Sequence, residues 1–362
     1  LPPVRLLHVS NYHSEFGGSF VPLLRAALGE GLARGMRSEA VFLDVAEGRG
    51  WVRELEDAGI TCRFVPFGGI EPLLAEYDGP TILHVHFSLL AIEAARAARR
   101  HPNVKHYWHV HTKVTRGPYP WLRNAVRFGL LSRGVEKIFC VAPDLARDVR
   151  RRLAPASKVE FFPNAIDLDG FRPPGPGERD AARDRLGLPR HARVLVHMGR
   201  DWHLKGGDLY EEAVRLLEER GHTDIVAGSV RAEDGPGPIR RLVPGERIQD
   251  MYGAADLFIS PSRAEGMPLA LMEALACGTA AVASDIPGQR YVGEDLDAVR
   301  LVPLDPAALA DGIEAMLARD PAEAAAAAAQ ARDWLERNMD LHAWARRLFG
   351  YYEETGALPR AT

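Results

Sequence analysis

Cysteine is scarce: the 362-residue chain has three, Cys62, Cys140 and Cys277. Their odd number and wide spacing argue against a disulfide framework and suit a reducing compartment. Long apolar runs are missing too. None approaches the ~20 residues that a membrane-spanning helix needs, and no secretory leader pattern opens the chain, so a cytoplasmic location is expected. Charge of one sign is not in excess. Lys and Arg total 45 against 49 Asp and Glu, for a net charge of −4, which points to neither nucleic acid nor a membrane in bulk. There is no G-x-G-x-x-G turn, so a nicotinamide-binding reading has little support, and no internal repeat of solenoid period.

What is present is a soluble composition, 46% hydrophobic and 26% charged, on a chain long enough for roughly two domains. Short apolar runs alternate with helical patterns. Strands are expected at 4–10, 38–44, 62–67, 81–87, 104–112, 137–142 and 158–164. After the Pro/Gly-rich segment Pro173–Gly177 they resume at 193–199, 224–229, 256–262 and 280–285. Such alternation implies βαβ units and parallel sheets. The fold class is therefore α/β, two doubly wound domains with a boundary near Phe171–Gly177 and a cleft at the carboxyl ends of both sheets. The Ala-rich stretch Ala322–Ala331 reads as helix. Trp334, Leu335, Trp344, Leu348 and Phe349 are the expected packing residues of the terminal helices.

The stretch Ser262–Asp285 concentrates the chemistry. Glu265 and Glu273 stand eight apart, separated by Gly266, Met267, Pro268 and Leu269 and a short Leu/Met/Ala helix pattern that Gly278 ends. Pro268 suits the first turn of a helix and Gly278 the left-handed position just past a helix end. Glu265 then lies in the loop feeding the helix and Glu273 about two turns inside it, with bare N–H groups at the helix start. On the same sheet edge, Arg200 and Lys205 follow a strand in HMGRDWHLKGG, where two cations could neutralise a diphosphate; a solvated loop is the plainer reading. Gly17 and Gly18, between the first strand and first helix, could cradle a phosphate or simply form a tight turn.

Two histidine pairs, His84/His86 and His109/His111, have strand spacing, so each pair shares a face. Zinc is conceivable, but no acid or cysteine of ligand spacing joins them, and no metal is expected. His111 is placed best for a cleft; His84 and His109 also read as core histidines. From Arg96 to Arg133 there are nine Lys or Arg residues and no acid, interleaved with Trp108, Tyr119, Trp121 and Phe128. Pro120–Arg133 could form a basic amphipathic helix touching an anionic membrane or an acidic acceptor, or a solvated face.

Taken together these residues resemble the retaining GT-B glycosyltransferases of family 4. Glu265 and Glu273 match the E-x7-E motif, Arg200 and Lys205 the diphosphate-binding pair, and Gly17-Gly18 the N-terminal glycine loop. Asn164–Pro173 (NAIDLDGFRP) resembles the interdomain segment, with Ala165 at its usual glycine. The resemblance implies a Rossmann-like acceptor domain at 1–172, a nucleotide-sugar domain at 173–330, and helices at 331–362 crossing back to the first. It implies metal-independent, retaining transfer, with no cofactor beyond a nucleotide-sugar co-substrate. Glu273 would bind the ribose, Glu265 the donor sugar, the Gly266–Leu269 backbone the sugar and phosphate, and Gly18 the distal phosphate. Arg200 and Lys205 would stabilise the departing diphosphate, and His111 would lie near the sugar. From Gly228 to Ser260 the chain is shorter than the family pattern, which leaves Ser229–Arg231 and Leu242–Pro244, including Val243, to close over the base. The expected partners are a nucleotide-sugar donor and a small natural-product or glycan acceptor, with no nucleic acid. A lipid-linked acceptor, reached by peripheral contact of segment 113–133 with the inner membrane face, is the alternative. A nucleotide-sugar epimerase or a non-catalytic binding module are readings of other classes.

Overall fold

Runs of β-branched and apolar residues bounded by Gly, Pro and polar turns become strands covered on both faces, which is the environment of a parallel sheet. The computed structural model describes residues 2–14, 17–87, 89–111, 124, 126–199, 201–230, 237–243 and 247–359. It forms two units, one of residues 1–165 and 341–362, the other of 166–340. The expected breaks at 172/173 and 330/331 both fall inside the second unit.

The first unit holds a seven-stranded sheet, order β3-β2-β1-β4-β5-β6-β7. Its strands are β1 (Arg5–Ser10), β2 (Arg37–Leu43), β3 (Thr61–Val65), β4 (Thr81–His86), β5 (Val104–Val110), β6 (Lys137–Cys140) and β7 (Val159–Phe161). Helices α1 (Phe20–Ala33), α2 (Gly50–Asp57), α3 (Ile70–Ala75), α4 (Ala91–Ala98) and α5 (Pro143–Arg151) precede the break, and the terminal helix α13 (Leu341–Glu354) returns to this unit. The second unit holds a six-stranded sheet, order β10-β9-β8-β11-β12-β13. These are β8 (Arg193–Met198), β9 (Ile225–Val230), β10 (Ile239–Arg241), β11 (Leu257–Ser260), β12 (Ala280–Ser284) and β13 (Val299–Val302). Its helices are α6 (Glu178–Arg185), α7 (Gly207–Glu219), α8 (Gln249–Ala254), α9 (Leu269–Ala276), α10 (Pro287–Gly293), α11 (Pro306–Leu317) and α12 (Pro321–Asn338). Every recorded strand pair in both sheets is parallel. The chiefly overlooked strands are β10 and β13. Both are short and carry arginines, so neither shows an apolar run.

The Ala-rich segment is α12, begun by Asp320, whose carboxylate accepts from Ala322 N (2.8 Å), with Pro321 in the first turn. Trp334 and Leu335 belong to this helix and pack in the second unit, Trp334 against Tyr291. Arg332 ties α12 to the linker, donating to Leu168 O (2.9 Å), Phe171 O (2.7 Å) and Ala276 O (3.2 Å). The expected residues Trp344, Leu348 and Phe349 are on α13 and join the core of α1 and the first sheet. Trp344 Nε1 donates to Pro163 O at 2.9 Å.

Beneath α13 the sheet carries imidazoles. Parallel register sets His8 beside His84 and His86 beside His109. All four are fully buried. They are hydrogen-bonded in sequence: His86 Nε2 to His8 Nδ1 (2.9 Å), His8 Nε2 to Tyr352 Oη (3.4 Å), Tyr352 Oη to His84 Nδ1 (2.6 Å), and His84 Nε2 to His109 Nδ1 (3.3 Å). Burial removes the solvation an imidazolium needs. It pushes His8 down to about 3 and His84, His86 and His109 well below 6.5, the last three further depressed by their neighbouring imidazoles.

These histidines are neutral when folded and titrate normally when unfolded, so the unfolded chain binds more protons below the ordinary value of 6.5. Stability should be full above that pH and fall as pH drops from 6.5 toward 3, each imidazole contributing up to ~1.4 kcal/mol per pH unit. Urea midpoints measured from pH 7.5 to 5 should therefore decline steeply below 6.5. A flat profile would contradict burial of the neutral array.

Candidate active site

In the second unit the loop after β11 is built by neighbours on both sides. Ser284 Oγ donates to Ser262 O (2.5 Å) and Gln289 Nε2 to Ser260 O (2.9 Å). α10 lies so close that a Cβ on Gly288 would sit 2.9 Å from Glu265 O. The Glu265 carboxylate is thereby aimed. Its Oε1 accepts from Ser262 Oγ and from Lys205 Nζ, each at 2.7 Å. Both Lys205 and Glu265 keep partial solvent access.

Lys205 reaches this acid because its own loop presses against β11. Gly206 has φ +70°, and a Cβ there would lie 2.0 Å from Pro261 O, so only glycine fits. Leu204 O accepts from Arg263 N (2.9 Å), and the Arg263 guanidinium forks onto Asp208, 2.7 Å to each oxygen. His197, at the end of β8, bridges Ser229 Oγ (2.8 Å) and Lys205 O (3.1 Å). Arg200 lies outside the described residues.

Glu265 and Glu273 are joined by α9. The helix starts at Leu269, with Pro268 as its cap. Glu273 consequently sits little more than one turn in, not two. It is buried, and Tyr252 Oη donates to its Oε2 at 2.6 Å. Burial and the adjacent carboxylate push the Tyr252 phenol well above its usual range, which keeps it a donor. The helix start is also less bare than expected, since Leu269 N–H is taken by Met267 O and Leu271 N–H by Pro268 O. The amides of Gly266 and Met267 have no acceptor among the described residues. Gly278 is left-handed at φ +76°, with Thr279 N bonded to Ala274 O (2.9 Å) and Gly278 N to Leu275 O (3.0 Å), the paired bonds that close a helix end.

Around the expected base loop, the Ser229 side chain is fully buried and bonded to His197, so it is turned into the fold. Leu242 N donates to Ser229 O (2.9 Å), extending β10 along β9, and the next residue, Val243, is exposed. Residues 231–236 and 244–246 lie outside the described residues.

In the first unit Gly17 O accepts from Tyr12 Oη (3.0 Å), and Gly18 is exposed with φ +51°. His111 follows β5, half-buried. Its Nε2 meets His86 Nδ1 at 3.0 Å, its edge meets Phe20, and burial pushes it down to about 3 despite a hydrogen bond with the Asn164 side chain. His84, His86 and His109 could offer one nitrogen each within 4.8 Å of one another, yet the recorded bonds commit His84 and His86 at both nitrogens and His109 at Nδ1. The basic segment falls largely on residues 112–123, outside the described ones. Of its described part, Arg127 and Phe128 are buried, the guanidinium 5.6 Å from the Trp108 ring centre, so this arginine is not on a solvated face. No helix of the described residues is long and apolar enough to cross a membrane.

Tyr252, Ser262, His197 and Gln289 were not legible as site residues. Tyr252 and Gln289 reach the site from other elements, and no local spacing signals that. Ser262, three residues before Glu265, could have been read as its hydrogen-bond donor. Gly206→Ala should destabilise the protein by about 2–4 kcal/mol through the strained φ and the clash with Pro261 O. Thermal unfolding with a melting temperature unchanged from wild type would refute that packing.

Residues 192–319 match the family described as "Glycosyl transferases group 1", and residues 50–169 the one described as "Glycosyltransferase Family 4". A D-inositol 3-phosphate glycosyltransferase of Xylanimonas cellulosilytica is 34% identical over 202 residues, covering 50% of this chain and 48% of that protein. The putative teichuronic acid biosynthesis glycosyltransferase TuaC of Bacillus subtilis is 28% identical over 222 residues, covering 58% and 54%. The chain thus spans about half the length of these curated relatives. Among solved structures, a glycosyltransferase of Rickettsia africae superimposes with a TM-score of 0.81 at 16% identity, covering 98% of this chain and 99% of the other. Anabaena Alr3699/HepE, solved in complex with UDP and glucose, gives 0.78 at 18% identity, covering 97% and 99%.

Proposed function

Because the chain belongs to glycosyltransferase family 4 and has the GT-B fold, we propose that it transfers a sugar from a nucleoside-diphosphate donor to an acceptor hydroxyl. Transfer proceeds with retention and without a metal ion. The observation that carries this reading is the Lys205–Glu265 pair at 2.7 Å, on the loop that opens α9, with buried Glu273 a turn beyond. Glycosyl transfer builds positive charge on the sugar and negative charge on the leaving diphosphate, and fixed cations can stabilise the latter in place of a metal. Lys205, with Arg200, supplies that charge. When a diphosphate arrives Lys205 turns toward it, and Glu265 is released to a sugar hydroxyl. Gly266 and Met267 amides meet the sugar and phosphate, and Gly17-Gly18 the distal phosphate.

Glu273 accepts the ribose hydroxyls, held in place by the bond that Tyr252 donates to its Oε2. Val243, exposed beyond β10, contacts the base, while Ser229 orients His197. His111, neutral in the folded protein, contacts the donor sugar. UDP is the first nucleotide to test, being the one in the Anabaena complexes. The relatives named for D-inositol 3-phosphate support a small soluble acceptor, and the inward-turned Arg127 favours it over a lipid-linked one.

Lys205→Ala should reduce turnover by roughly 10²–10³-fold while the fold is retained. Wild-type turnover in that variant, with sugar transfer followed by product analysis, would remove the diphosphate role. Glu273→Gln should weaken UDP binding about tenfold or more by calorimetry in the presence of EDTA, as expected for loss of a charged acceptor. Unchanged affinity would sink the ribose assignment.

A further inference from the structure

His111 is the outer end of the buried array. The chain runs His109, His84, Tyr352, His8, His86, His111, each group bonded to the next. A neutral imidazole has one N–H and one bare nitrogen. Every ring between two partners must therefore donate on one side and accept on the other. The phenol can accept from both sides, so the tautomer of every ring is fixed only once Tyr352 is known to donate, and to which neighbour.

One observation sets the direction. The Tyr352–His84 contact is 2.6 Å, within the range of bonds donated by O–H and shorter than those donated by N–H. The phenol is thus donor to His84 Nδ1. Its single proton is then spent, and its lone pairs can only accept, so His8 Nε2 carries a proton. His8 Nδ1 is bare and takes the Nε2–H of His86, and His86 Nδ1 takes the Nε2–H of His111. At the far end, Asn164 Oδ1 has no partner among the described residues, although the Asn164 side chain meets His111. No carboxylate or cation contacts the array among the described residues. Its ring neighbours are Phe20, Phe87, Tyr107, Phe139, Phe162 and Trp344.

We propose that Tyr352, on the C-terminal helix, locks His111 through His8 and His86 in the tautomer protonated at Nε2 and bare at Nδ1, and so makes His111 a hydrogen-bond acceptor toward its ligand. Tyr352 is a positioning residue. The tautomer lock stands on the hydrogen-bond chain alone; its effect on transfer rests on the function proposed above.

The test is nitrogen-15 NMR of the full chain labelled at histidine, with His111 assigned by its loss in His111→Gln. Wild type should show His111 with a bare Nδ1 and a protonated Nε2 from pH 6.5 to 8. Tyr352→Phe keeps the ring and removes the proton that sets the direction, so the His111 signals should move toward those of a tautomer mixture. If Tyr352→Phe does not fold, His8→Asn, which breaks the chain between Tyr352 and His86, should have the same effect. A wild-type His111 already averaging both tautomers, or one unchanged in the variant, would overturn the lock. With UDP-sugar and acceptor, Tyr352→Phe should lower turnover about tenfold, one hydrogen bond's worth, with little change in donor KM. A shifted tautomer with unchanged turnover would uphold the lock and count against His111 in transfer. Reduced turnover with an intact tautomer would count against the lock.

Discussion

Parallel pairing of every described strand is the constraint on which the candidate site and the histidine array depend. When all strands of a sheet point one way, all their carboxyl ends, with the loops that leave them, share one edge. Residues far apart in sequence are thereby collected without any local signal. In the second unit this edge gathers His197 at the end of β8 and Lys205 after it, Ser229 on β9, Ser260 at the end of β11 and Ser262 to Glu265 after it, and Ser284 at the end of β12. In the first unit it gathers His86 at the end of β4 and His111 after β5.

Close backbone approach sharpens that collection. Gly206 against Pro261 and Gly288 against Glu265 bring loops within distances that any Cβ would forbid. The Lys205–Glu265 pair is short because its two loops are bolted together by Arg263, Asp208, Ser284 and Gln289. Its partial exposure keeps its direct contribution to stability small. It holds a cation and an acid together at one place, and the proposed function gives each a use once a charged ligand separates them.

The first unit takes the opposite electrostatic course. Its imidazoles are buried together with no opposing charge among the described residues, so they are neutral and must satisfy one another. That requirement makes the array directional, and it makes the C-terminal helix, which supplies Tyr352, part of the polar core rather than a simple cover. A hydroxyl on α13 thereby bears on a ring at the sheet edge.

Much was legible beforehand. Alternating apolar runs and helix patterns read as parallel α/β units, because a strand covered on both faces must be apolar along its length. The Glu265–Gly278 segment read as loop, helix and left-handed stop, since Pro and Gly restrict the backbone locally. The two-residue histidine spacing placed each pair on one face. The strands β10 and β13, too short and too charged to show a run, were not legible. Nor was the pairing of Tyr252 with Glu273, the burial of Ser229, the inward turn of Arg127, or the union of His8 with the later histidines. Sequence determines what each short segment can become, because backbone preference and side-chain period act over a few residues. Only the tertiary structure decided which acids, cations and imidazoles meet, because strand order and loop contact bring together residues that no spacing along the chain relates.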